Sequence, residues 1–217
     1  MANPIGTACA ALALLQFIPV LQGKTIHRYN GYLVLSLALA GIPSIAIITP
    51  GAAGGEISTH FSCLLLTSLV VFSGYKAWAA IRGKRRKEHR RWALRWMAHM
   101  TSIISIRPLM GLFLLWMTYA GNYHNLWLCE ELEAIRGGAV EECVDGRAVV
   151  RAGFDGGEEG VASGYRSSFG SCVILALFLH VVAAEVWIAW ADGKGEEKIR
   201  EGDGAAAAVP QRLGRGT

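Results

Sequence analysis

The sequence predicts an all-α integral membrane protein, a helical bundle with about five transmembrane helices. Three observations carry that prediction. Hydrophobic residues make up 53% of the 217 positions and the mean hydropathy is +0.34, more apolar than a soluble domain of this length requires. The apolar residues gather into runs long enough to cross a hydrocarbon core, which takes about 20 helical residues. The Lys and Arg residues, finally, cluster at the ends of those runs rather than over one face.

The densest basic stretch is residues 82–95, RGKRRKEHRRWALR, with eight Lys/Arg and one acid, Glu88. A short loop of this kind resists translocation and stays cytoplasmic, which orients every other segment by alternation. Residues 5–21 form a charge-free run at the lower length limit for a span. A cleaved signal peptide would need a basic start, and residues 1–4 (MANP) have none. Cleavage would also leave Lys24 and Arg28 outside, so the run reads as a first span with its N-terminus outside. Residues 23–30, GKTIHRYN, are a basic inner loop. Residues 31–49 form a charge-free second span kinked at Pro43, and 50–56 a Gly-rich outer turn. Residues 57–80 return inward, with Lys76 snorkelling near the inner end. Residues 97–120 run outward with Arg107 at mid-span.

Residues 1–120 thus hold the first four transmembrane helices. Residues 121–167 carry nine acids and four bases, lack periodicity, and read as an acidic outer loop, partly disordered. Residues 168–191 are the fifth span, interrupted by His180 and Glu185. Residues 192–217 read as a flexible cytoplasmic tail. The proposed inside holds fifteen Lys/Arg (two, eight and five in its three segments) against four outside. The same distribution argues against nucleic acid as a partner. The lipid bilayer is the partner that it implies, with a cytoplasmic C-terminus. Trp78, Trp92, Trp96, Trp187 and Trp190 lie near inner ends, as an interfacial belt requires. No internal repeat is visible.

Three of the five cysteines, Cys9, Cys63 and Cys172, fall in apolar runs, where a thiol acts as a small hydrophobe. Cys129 and Cys143 fall in the outer loop, in an oxidising compartment. They are a disulfide candidate whose 14-residue separation closes a loop worth ~3 kcal/mol in the entropy account.

An ionisable group at mid-bilayer costs a few kcal/mol and needs a reason. Arg107 and Glu185 are expected to pair between two helices. His180, five residues from Glu185, lies ~140° around the helix from it. The expected role is a structural clamp, with a proton or ligand site as the competing use. Six histidines also admit haem b, which needs two imidazoles from facing helices at one depth. His27 and His99 sit at inner ends, with His89 in the adjoining loop; His60 and His124 sit near outer ends. No P-loop, HExxH, GxGxxG or Ser/His/Asp arrangement appears with its required context.

Gln16–Phe17 followed by GKTIHRYNGY, then EHRRWALRW and the intramembrane arginine, resembles the membrane family called domain of unknown function 2306. The motif positions here are His27, Arg28 and Gly31; His89, Arg90, Arg91 and Trp92; and Arg107. The likeness covers roughly residues 12–120, and Ala93 stands where the family pattern has Met. It implies a multi-pass membrane protein and no particular reaction. Two functional readings follow. In the first, polar intramembrane residues position helices or bind a small molecule or lipid. In the second, histidine pairs at the two faces hold haem b for electron transfer.

Overall fold

Packing between four long helices decides the architecture, and a small disulfide-bonded layer covers one end of them. The computed structural model describes Leu12, Ala13, Leu15, Gln16, Ile18 and residues 25–138 and 140–207, the side chains of 52–54 and 195–207 excepted. The helices are α1 (Thr25–Ile48), α2 (Ile57–Arg82) and α3 (Arg86–Ala120). After β1 (His124–Leu128), α4 (Cys129–Arg136) and β2 (Arg147–Arg151) comes α5 (Gly157–Ala207). Among the described residues four stretches are long and apolar enough to span a membrane: Thr25–Gly51, Ile57–Arg82, Arg86–Ala120 and Phe154–Lys194. The expected first span, residues 5–21, lies almost wholly outside the described residues.

Helix α3 packs against both α2 and α5, which also touch each other. Helix α1 is peripheral and buries only Val34, against Ala13 and Met97. The polarity of the bundle is inverted relative to a soluble one. Its seams bury Thr59, Ser62, Ser73, His99, Ser102 and Ser168, whereas Phe61, Leu64, Ile104, Leu112, Phe178 and Val186 are exposed. In lipid that inversion is favourable, because small and hydroxylated residues let helices approach while the outer surface has only to match hydrocarbon. The close approach is visible at Gly170, where a Cβ would lie 2.7 Å from the Ser58 carbonyl carbon, and at Gly74, where it would lie 3.0 Å from the Trp96 indole nitrogen.

The basic stretch is mostly not a loop. Only Gly83, Lys84 and Arg85 turn the chain, and α3 starts at Arg86. Lys and Arg are good helix formers, so the helix continues into water instead of stopping at the bilayer edge. The GKTIHRYN segment is likewise helical from Thr25 onward. Helix α5 overruns its expected bounds of 168–191 in both directions, so the tail is helical to Ala207.

Residues 121–156 are also more ordered than the sequence suggests. Strands β1 and β2 pair antiparallel, with Leu126 opposite Val149 and Trp127 opposite Ala148. Trp127, Ala148 and Val150 turn inward to meet Leu132 of α4, Val140 and Ala162 of α5. Cys129 is bonded to Cys143, with 6.1 Å between their Cα atoms. Gly137, at φ 71°, ends α4. Polar side chains fasten this layer to the bundle: Arg136 to Glu159 at 2.6 Å, Arg166 to Glu131 at 2.8 Å, and Asn125 to Glu56 at 3.1 Å. The bond from Glu159 holds the Arg136 guanidinium above its ordinary pKa. Many acids and glycines hid this layer in the sequence; its order rests on a few apolar side chains and one covalent link.

Candidate functional site

The α3–α5 seam gathers His180 and Glu185, two of the three intramembrane polar residues that the sequence singled out, together with Arg91 of the basic stretch. The helices run antiparallel, and three contacts follow in register. Arg91 Nη2 meets Asp192 Oδ2 at 2.6 Å. Arg95 grips Glu185 with Nε at 2.5 Å and Nη2 at 2.9 Å. His180 then fills the gap between two hydroxyls, Thr101 Oγ1 at 3.1 Å and Ser105 Oγ at 2.8 Å. One ring nitrogen of a neutral imidazole donates and the other accepts, so His180 is satisfied on both sides. It acts as an interhelical clamp.

The expected Arg107–Glu185 pair is therefore corrected. Glu185 belongs to Arg95, twelve residues or ~18 Å along α3 from Arg107. Arg107 is exposed and takes no part in the seam. The antiparallel register decides this: position 185 of α5 faces the basic end of α3, not its middle. Arg95 and Asp192 were the partners that sequence reading missed. Their spacing from Arg91 and Glu185 was the available signal.

At the basic end the two halves of the family-like motif converge. The His27 imidazole is close enough to His89 for their charges to interact. His89 Nδ1 donates to the Ala77 carbonyl at 2.8 Å, which leaves Nε2 free, and His27 Nδ1 is buried with no hydrogen-bond partner. Gln16 Nε2 donates to the His27 carbonyl at 3.3 Å and lies beside Gly31. Trp92 packs edge-on against Phe72 with Arg95 and Lys76 over its ring. Arg28 and Arg90 are exposed. A cavity of about 200 Å³ lies between Arg90, Arg91 and Asp192.

Of the histidines considered for haem, His27 lies near the start of α1, while His99 is buried with Nδ1 3.0 Å from Ser73 Oγ, in the α2–α3 seam. His60 has a buried, unpartnered Nε2 on α2, and His124 is exposed at the start of β1. No histidine lines either described cavity. Among the described residues no three His, Cys, Asp or Glu side chains cluster as a metal site.

The larger cavity, about 640 Å³, lies where α4 overhangs α3 and α5. Met110 and Phe169 line its apolar part, Tyr165 its side, and Trp127, Glu131 and Arg166 its polar part. The Arg166 guanidinium stacks 3.8 Å from the Trp127 ring centroid. Trp127 is 3% exposed, yet its indole Nε1 has no hydrogen-bond acceptor. A buried N–H without an acceptor costs about 1–3 kcal/mol. Sequence reading had no signal for this site, because its residues come from five separate segments of the chain.

No family model, curated protein or solved structure matches this chain.

Proposed function

We propose that this multi-pass membrane protein binds a small amphipathic molecule, a lipid or lipid-like compound, in the 640 Å³ cavity beneath α4. The observation that carries this reading is the cavity's division. Met110 and Phe169 offer an apolar surface for a chain, whereas the Arg166–Glu131 pair and the Trp127 N–H offer polar partners for a head group. A ligand carbonyl or hydroxyl could accept from the indole once Arg166 swings from its stacked position. Concave, mostly apolar sites with a few convergent polar groups are the usual form of small-molecule sites.

The proposal includes an orientation. The basic end, with Lys84, Arg85, Arg86 and Lys87, faces the cytoplasm together with the C-terminus, and the disulfide-bonded layer lies outside with the N-terminus. A bond between Cys129 and Cys143 suits an oxidising compartment. Kinship with the domain of unknown function 2306 family belongs to the same proposal, supported by the motif residues His27, Arg28 and Gly31, His89 to Trp92, and Arg107.

A diazirine-bearing fatty acid, photolysed with the full-length protein in vesicles and mapped by mass spectrometry, tests the site. Adducts should concentrate on Met110, Tyr165 and Phe169, and Ala162→Phe, which narrows the cavity, should cut them severalfold. Labelling spread evenly over the lipid-facing surfaces of α1, α2, α3 and α5 would sink the reading.

A further inference from the structure

We propose that the exposed side of α3 that carries Arg107 docks a transmembrane helix of a different protein, one carrying an aspartate or glutamate at mid-bilayer depth. Arg107 shares one exposed side of α3 with Ile103, Ile104 and Leu115, which lie within ~80° of it around the helix. It makes no hydrogen bond or ion pair with any described residue. The polar belt at one end of α3 begins at Arg95, and Tyr119 marks the other end. Arg107 lies twelve residues from each, ~18 Å along the axis, too far for its side chain to snorkel easily to either interface. An uncompensated guanidinium at that depth is among the costliest groups to place in a helix centre.

Pro108, the next residue and also exposed, adds a second unmet demand. It has no N–H, so the Ile104 carbonyl, four residues earlier, loses its helical donor. A guanidinium and a freed carbonyl on one lipid-facing surface call for a partner with both an acceptor and a donor. A helix with a carboxylate and a neighbouring hydroxyl or amide meets both demands.

A second copy of this chain does not. Residues 31–49, 57–80, 97–120 and 168–191 contain one carboxylate, Glu185, and Arg95 holds it. Residues 1–55 contain none, so the N-terminal stretch cannot supply the counter-charge either. A symmetric dimer through this face would set one Arg107 against the other.

The test uses single-span, leucine-rich helical peptides with a central glutamate, or with leucine in its place. Energy transfer to full-length protein bearing a C-terminal fluorescent protein is measured in phosphatidylcholine vesicles. The glutamate peptide should associate about tenfold more tightly than the leucine peptide, in line with interhelical polar contacts in model peptides. Arg107→Leu, which removes a charge from the lipid face and should fold at least as well, should erase that preference. Four outcomes overturn the proposal. The two peptides bind alike, or the preference survives Arg107→Leu. Phosphatidylglycerol abolishes it, making a lipid phosphate the occupant. The wild-type protein self-associates through Arg107 more tightly than it binds the glutamate peptide, making a second copy the occupant.

Discussion

Arg95 on α3 and Glu185 on α5 hold each other at two points, Nε to Oε1 at 2.5 Å and Nη2 to Oε2 at 2.9 Å. A two-point guanidinium–carboxylate contact fixes rotation as well as distance, so it sets the register in which α3 and α5 meet. Arg91–Asp192 and the His180 clamp repeat that register on either side.

This pair should show up as a coupling. Arg95→Leu and Glu185→Leu, measured singly and together by thermal unfolding in detergent, should reveal an interaction of about 1 kcal/mol. A larger value is not expected, because the Glu185 side chain is 47% exposed. Arg107→Leu combined with Glu185→Leu should be additive. Coupling to Arg107 in place of Arg95 would contradict the register described above.

Two glycines on α5 should respond oppositely to a methyl group. At Gly170 a Cβ would lie 2.7 Å from the backbone of Ser58, which cannot yield without moving α2. Gly170→Ala should therefore cost about 1–3 kcal/mol, the usual range for overpacking. At Gly193 nothing lies within 4 Å of the added carbon, so Gly193→Ala should gain the helix-propensity difference of ~1 kcal/mol. Unfolding midpoints of the two variants compare them directly.

Removing the disulfide should loosen the end layer and spare the bundle. Cys129→Ser should cost that layer ~3 kcal/mol in the loop-entropy account. Proteolysis should then cut between Gly121 and Gly157 far faster than in the wild type, with helical circular dichroism almost unchanged. Equal protease resistance would mean that the Trp127–Leu132–Val150 core holds the layer by itself.

Orientation is tested with two reporters. One after Arg85, in the tight turn between α2 and α3, should read cytoplasmic. One at Gly138, in the segment joining α4 to β2, should read external. Both tags on one side would mean that α3 does not cross the bilayer.

The sequence alone determined that this chain is a membrane bundle, where its long apolar runs lie, and which end of each is basic. Those properties are local: hydrocarbon length and charge at the ends of a run are written residue by residue. The intramembrane polar residues Arg107, His180 and Glu185 were legible for the same reason, since each interrupts an otherwise apolar run. Which of them meet was decided only by the tertiary structure, because partners on antiparallel helices depend on register. The antiparallel register gave Glu185 to Arg95, twelve residues from Arg107, and left Arg107 facing outward. The layer over residues 121–156 needed the tertiary structure as well. Its order comes from Trp127, Leu132 and Val150 meeting across a hairpin and a disulfide, contacts that no periodicity in an acidic, glycine-rich stretch announces. The cavity is the extreme case, since Met110, Trp127, Glu131 and Arg166 become neighbours only when α3, β1, α4 and α5 have packed.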